Sequence, residues 1–202
     1  MKNILIIDTG AGNLFSLKSA IVRLGYKVTI SKTPNETNFD GVVIPGQGRF
    51  GTVMNNIRKN GWPEFLKLAY ENKTPILGIC VGMQIFFESS EEDQDVEGGD
   101  FKGTDVKGLA WFDGKVEALD FPKKPMVGWA KLQSSINNWN ERMVYFVNSF
   151  AIKSSPISIA KTFYGEAFCA TVKSGSFTGV QFHPEKSSLV GSQIIVEALK
   201  NV

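Results

Sequence analysis

One cysteine in the sequence stands where a thiol can act as a nucleophile. Cys80 lies in Gly78-Ile79-Cys80-Val81-Gly82, directly after the strand pattern Pro75–Ile79 and before the helical pattern Met83-Gln84-Ile85-Phe86-Phe87. A reactive side chain between two glycines at a strand-to-helix turn has the nucleophile-elbow arrangement. The glycines relieve crowding at the turn, and the unpaired N–H groups at the start of the helix favour thiolate. The same turn aims the backbone N–H of Val81 at the place where a negative oxygen forms when sulfur attacks a carbonyl. A free cysteine is by default a small buried hydrophobe, and the flanks of Cys80 set it apart from that default. Cys169, in Ala167-Phe168-Cys169-Ala170-Thr171-Val172, has no such flanks and reads as packing within a strand.

Attack on an amide also needs a group that carries protons near neutral pH. His183 is the one histidine in the sequence, in Val180-Gln181-Phe182-His183-Pro184-Glu185 at the end of a strand pattern. A lone histidine after a strand is more often structural, but Glu185 two residues on can reach the imidazole, fix its tautomer and stabilise the imidazolium, which gives a Cys80–His183–Glu185 relay. Pro45-Gly46-Gln47-Gly48 is a third element, a glycine-bearing turn after Val42–Ile44 where backbone can approach a ligand. A simple tight turn accounts for it equally well, and it lacks the spacing of a P-loop or a dinucleotide fingerprint.

The elements that must position these residues are legible as patterns. Ile4–Ile7, Val28–Ile30, Val42–Ile44 and Pro75–Ile79 read as strands, with helices at Leu14–Leu24, Thr52–Lys59 and Pro63–Glu71, the βαβ alternation of a parallel sheet. The second half reads as consecutive strands at Val116–Leu119, Trp129–Leu132, Val144–Val147, Ile157–Thr162, Phe168–Val172 and Gly179–Phe182, some of them antiparallel. A helix from Leu189 to Leu199 closes the chain. The fold class is therefore α/β, a mixed, largely parallel sheet flanked by helices, in one domain spanning 1–202. The acidic run Glu88–Asp100 reads as a solvated loop without chemistry.

Composition narrows the function classes. With 43% hydrophobic and 21% charged residues the chain is an ordinary globular protein, and a net charge of +2 without a basic stripe argues against nucleic acid. No apolar run approaches a membrane span or a signal-peptide core, and two cysteines cannot build a disulfide framework, so a reducing cytoplasm is expected. At this length neither a disulfide nor a metal is needed to hold the fold.

Taken in order, these residues resemble the class I (triad) glutamine amidotransferases over nearly the whole chain. The resemblance rests on Ile7-Asp8-Thr9-Gly10, Gly46-Gln47-Gly48, Gly78-Ile79-Cys80-Val81-Gly82-Met83-Gln84, Tyr145-Phe146-Val147 and Gly179–Ser188. The methionine before Gln84 is similar to the branch that serves as glutaminase subunits of imidazole glycerol phosphate synthase. The resemblance implies a flavodoxin-like core and glutamine as substrate, with neither a metal nor an organic cofactor: Cys80 attacks the carboxamide, His183 protonates the departing ammonia, and water then releases glutamate from a thioester. It implies oxyanion donors at the backbone of Gln47 and Val81, and substrate seating by Gly46, Gly48, Gln84, Asn148 and Ser149. It further implies a (β/α)8-barrel synthase subunit as partner, contacted near Trp129 and Lys186, which completes the oxyanion hole by reorienting Pro45–Gly48.

The chain departs from the family pattern at three places. Pro125-Met126-Val127-Gly128-Trp129-Ala130 stands where Pro-His-Met-Gly-Trp-Asn is usual, Asn148 where a histidine is usual, and Gln47 where a small apolar residue is usual. These leave open a second acceptor, since some relatives supply ammonia for surface-sugar amidination. From other classes, a non-catalytic module on the same fold and a cysteine peptidase on a similar sheet remain, the first opposed by the intact relay and the second by the paired Met-Gln and His-Pro-Glu features.

Overall fold

The computed structural model describes residues 1–34, 39–93, 105–121 and 123–200. In chain order the elements are β1 (Asn3–Ile7), α1 (Leu14–Arg23), β2 (Lys27–Ser31), β3 (Gly41–Ile44), α2 (Phe50–Lys59), α3 (Trp62–Glu71), β4 (Ile76–Ile79), α4 (Val81–Gln84), β5 (Phe87–Ser90) and β6 (Val106–Lys107). There follow β7 (Phe112–Ala118), β8 (Met126–Lys131), β9 (Gln133–Ser134), β10 (Met143–Asn148), β11 (Phe150–Ile152), β12 (Ser158–Tyr164), β13 (Glu166–Ser174), β14 (Phe177–Val180), a 3-10 turn (Pro184–Lys186) and α5 (Ser188–Ala198).

The main sheet has eight strands in the order β2-β1-β3-β4-β14-β13-β12-β9. Its first five are mutually parallel, and β13, β12 and β9 continue it antiparallel. β3, β4 and β14 are buried at every residue, which is why Gly41-Val42-Val43-Ile44, Ile76-Leu77-Gly78-Ile79 and Phe177-Thr178-Gly179-Val180 read as unbroken runs rather than alternations. From β1 the chain crosses through α1 to β2, and from β3 through α2 and α3 to β4 in the opposite direction. Right-handed crossovers of opposite sense put α1 on one face of the sheet and α2 with α3 on the other.

Three details differ from the sequence reading. The strands of the second half do not all join one sheet: β8 and β10 pair alone, and β11, β7, β5 and β6 form a third sheet. The expected helix after Cys80 is the single turn α4, and the apolar run turns at Ile85 into β5, whose Phe87 and Ser90 are buried. The acidic run is not simply solvated. Its first residues are β5, and the next ones cap a helix: α2 has no capping side chain of its own, and Glu92 and Asp93 accept the N–H groups of Phe50 and Gly51 at 2.8 and 2.9 Å. Negative charge at a helix N-terminus satisfies orphan donors and the dipole together. Arg49 pairs with Asp93 at 2.8 Å. Residues 94–100 of the run lie outside the described residues.

Candidate active site

Three neighbouring parallel strands, β3, β4 and β14, end at one edge of the sheet, where ligand sites of open α/β sheets form. Beyond them lie Gly46 and Gln47, Cys80, and His183. Register sets their mutual position, because Ile44 pairs with Gly78 and Val180 pairs with Ile79. The Cys80 N–H then donates to Val180 O at 2.7 Å.

The elbow is built by close backbone approach. Cys80 has φ 54° and ψ −115°, a strained backbone for a residue with a side chain. A Cβ on Gly82 would stand 1.9 Å from Ile44 O, one on Gly78 2.5 Å from Gly82 O, and one on Gly46 2.3 Å from Gly82 N. Only glycines let the turn after β4 press against the end of β3.

His183 is 2% exposed and its Nδ1 lies 2.9 Å from Glu185 Oε1, in a pair whose side chains are both almost fully buried. Burial opposes charge on the imidazole, but hydrogen bonds with Cys80 and with Glu185, reinforced by their charges, outweigh it and push His183 up to about 9. With Nδ1 held by the carboxylate, Nε2 is the nitrogen left to exchange a proton with sulfur. The segment is clamped by β10: His183 N–H donates to Tyr145 O at 2.8 Å, Ser187 Oγ donates to His183 O at 2.7 Å, and Tyr145 N–H donates to Ser187 Oγ at 3.0 Å.

A cleft of about 310 Å³ opens onto Cys80 and His183, and Gln47, Gly48, Val81, Gln84, Asn148, Ser149 and Lys186 also line it. The fold thus brings together most of the residues expected at the site. Gln84 uses its Nε2 on Phe150 O at 3.1 Å and on Gln181 Oε1 at 2.9 Å, and its Oε1 is buried without a partner among the described residues. Asn148 likewise spends its Nδ2 on Phe150 O at 3.2 Å and keeps a buried, unpartnered Oδ1. Each of these buried amides thus spends its nitrogen on Phe150 and keeps an oxygen without a partner among the described residues. Gly46 is buried at the end of β3 and Gly48 is exposed at the rim.

The two expected oxyanion donors do not converge. Val81 N–H donates to Gly46 O at 3.3 Å, and in a trans peptide the Gln47 N–H then points the opposite way. The Gln47 side chain fastens this arrangement from the other side, its Oε1 accepting Asn13 N–H at 3.1 Å. Trp129 does not line the cleft. It is 48% exposed on the outer face of β8, edge-on to Tyr145 at 5.8 Å, and Lys186 Nζ lies 5.8 Å above the same Tyr145 ring.

Two residues at the site were not singled out from sequence. Glu92 lines the cleft, and burial pushes its carboxyl up while the Phe50 N–H pulls it down. Nothing in its charged neighbourhood distinguishes it. Gln181, wholly buried, sits 3.5 Å from Cys80 Sγ through its Nε2. Its signal was available, since Gln181 is a lone amide between the apolar Val180 and Phe182 directly before His183. Among the described residues no cluster of histidine, cysteine and carboxylate is arranged to hold a metal, and no helix is long and apolar enough to cross a membrane.

Comparison with known proteins agrees with this arrangement. The family Glutamine amidotransferase class-I matches residues 5–200. An imidazole glycerol phosphate synthase subunit HisH of Carboxydothermus hydrogenoformans is 39% identical, covering 95% of this chain and 96% of its own, and subunit HisH 1 of Vibrio vulnificus is 37% identical over 98% of each. Among solved structures, a glutamine amidotransferase superimposes with a TM-score of 0.73 at 15% identity over 96% of this chain and 98% of its own. PurLQS from Thermotoga maritima gives 0.71 at 15% identity over 98% of each, a likeness of fold. By the extent of these matches, the chain belongs to the class-I glutamine amidotransferases.

Proposed function

We propose that this chain is the glutaminase subunit of an imidazole glycerol phosphate synthase, hydrolysing glutamine and passing ammonia to a (β/α)8-barrel partner in histidine biosynthesis. The observation that carries the reading is the buried arrangement of Cys80, His183 and Glu185 at the ends of two adjacent strands, in a chain whose relatives bear that subunit's name over their full length.

In this reading Cys80 Sγ, as thiolate, attacks the carboxamide carbon of glutamine. His183 gives its Nε2 proton to the leaving nitrogen, and ammonia departs, leaving a glutamyl thioester. His183 then takes a proton from water, hydroxide attacks the thioester, and glutamate leaves as sulfur is released. Glu185 keeps Nδ1–H engaged throughout, so the imidazole presents Nε2 at each step. Glu92 is the acceptor for the ammonium hydrogens of the substrate, with Gln84 and Asn148 in the cleft wall that seats it.

The oxyanion formed on attack needs two N–H donors, and Val81 and Gln47 supply them once the Gly46–Gln47 peptide turns over. Docking of the partner drives that turn. The outer face of β8 and β10 suits docking: Val127, Trp129 and Met143 are exposed there, and Val147, opposite Val127 in register, leads into the cleft. Contiguous exposed apolar side chains mark interaction surfaces.

One observation favours a second acceptor. Met126 and Asn148, two of the departures from the family pattern, pair in register across β8 and β10 and are both buried, so they change one place behind the cleft wall together. The rival is an otherwise identical glutaminase serving a surface-sugar amidination synthase. Co-purification of the partner from the native cell, followed by assay of the complex with glutamine and the histidine-pathway acceptor, decides between them. Glutamate release coupled to imidazole glycerol phosphate is expected; glutamine hydrolysis without that product assigns the rival, and no hydrolysis at all refutes both.

A further inference from the structure

We propose that Gln181 is a positioning residue for the nucleophile, its side-chain N–H holding Cys80 Sγ on the line of attack while Gln84 fixes which end of the Gln181 amide faces the sulfur. The inference rests on Cys80 being the nucleophile and adds a residue to that reading.

The orientation follows from acceptor logic. Phe150 O can only accept, so the end of the Gln84 amide that meets it at 3.1 Å is the nitrogen. That nitrogen has a second hydrogen, and it meets a Gln181 side-chain atom at 2.9 Å, which must then be the Gln181 oxygen. The other end of the Gln181 amide is therefore NH2, and it lies 3.5 Å from Cys80 Sγ. Asn148 donates to the same Phe150 O and closes the chain of amides. The two links that reach the sulfur, Gln84 to Gln181 and Gln181 to Cys80, are buried, so neither can exchange its partner for bulk water.

The backbone of Gln181 is equally constrained. Its N–H donates to Ala170 O at 2.9 Å on one side, and the preceding Val180 O takes the Cys80 N–H at 2.7 Å on the other. Gln181 is thus abreast of the nucleophile by strand register.

Besides His183, sulfur has two kinds of neighbour here. Val147 O, 3.9 Å away, can interact only with a thiol hydrogen, whereas the Gln181 N–H is a donor and serves the sulfur best when it carries negative charge. Loss of the thiol proton releases sulfur from Val147 and transfers its restraint to Gln181. This holds the charged sulfur in place while His183 Nε2 is free to turn toward the leaving nitrogen.

The test is the pH dependence of Cys80 alkylation by iodoacetamide in the full chain, read by mass spectrometry of the Cys80 peptide, in wild type and in Gln181→Met. The change conserves volume and removes the donor. The midpoint of the alkylation profile is expected to rise by about one pH unit, and glutamine turnover in the partner complex to fall about tenfold in kcat with KM within about twofold. A filler without a positioning role would lower thermal stability but leave the midpoint and kcat where they are, and that result overturns the proposal.

A second measurement needs no variant. The Gln181 side-chain amide resonance of the wild-type chain is expected to shift with pH at the alkylation midpoint, and a resonance that stays still also overturns the proposal. Cys80→Ala separates the two levels. If it keeps glutamine turnover, the nucleophile is misassigned; if it is inactive while Gln181→Met behaves as wild type, only the role of Gln181 falls.

Discussion

The carbonyl of Gly46 accepts the backbone N–H of Val81 at 3.3 Å, so the peptide proposed to supply one oxyanion donor instead occupies the other. The nucleophile, base and carboxylate are assembled, and the charge they would create has no cradle. In the proposed mechanism the Gly46–Gln47 peptide therefore stands between attack and stabilisation.

Gln47 strengthens that arrangement through Asn13. Gln47→Val removes the tether, and a neutral hydrogen bond contributes about 1 kcal/mol. Partner-free glutamine hydrolysis is expected to rise about fivefold, with the rate in the partner complex little changed. Glutamate release measured with and without partner checks it; an unchanged partner-free rate would show that the side chain does not restrain the turn.

The strain at Cys80 predicts a difference between two inactive variants. Cys80→Gly can occupy φ 54°, ψ −115° freely, whereas Cys80→Ala retains the clash. Both should abolish glutamine hydrolysis, and the glycine variant should be more stable than the alanine variant by about 1 kcal/mol, after allowance for its unfolded-state entropy. Urea denaturation of the pair measures it.

Gly82→Ala should be among the costliest single substitutions in the chain. The added Cβ would lie 1.9 Å from Ile44 O, a backbone atom inside the main sheet that has no room to retreat. A loss of about 3 kcal/mol or more is expected, read as a fall in the thermal midpoint or as insoluble protein.

His183 should make stability fall toward alkaline pH. Its folded value of about 9 lies above its usual one, so the native state binds the proton more tightly than the unfolded chain does. The resulting stabilisation is complete below about pH 6.5 and is lost as pH rises through about 9. Denaturation midpoints across that window should decline in the wild type and flatten in His183→Gln.

Glu92 should act on binding more than on turnover. It lines the cleft with one oxygen committed to Phe50 N–H. Glu92→Gln keeps the shape and removes the charge, and KM for glutamine is expected to rise about tenfold or more, the usual worth of a charge-assisted hydrogen bond, with kcat within about threefold. Steady-state kinetics of the partner complex decide; a fall confined to kcat would place Glu92 elsewhere in the cycle.

What could be read in advance divides along physical lines. Cys80 was legible because an elbow needs glycines at fixed offsets, and His183 because proton transfer near neutrality leaves few choices of side chain. The buried runs of β3, β4 and β14 announced a covered parallel sheet. Beyond Cys80 the reading weakened, since Met83–Phe87 is too short to tell a helix from a buried strand, and the chain forms one turn and then β5. The pairing of β8 with β10 apart from the main sheet was hidden because alternation shows that a strand has two faces, not which sheet it joins. Glu92 was invisible for a related reason. Its role comes from the helix end it meets across 42 residues of chain, and nothing local distinguishes it from the other carboxylates of its run.

The 2.7 Å bond from the Cys80 amide to Val180 makes the reactive residue a rung of the central sheet. The imidazole follows three residues after the neighbouring strand and is tied to β10, so sulfur and imidazole are spaced by buried backbone and not by surface segments. Hydrogen exchange at the Cys80 amide then requires cooperative opening of the sheet, and heat inactivation coincides with global melting. The pairing of sulfur with imidazole is expected to carry no melting point of its own.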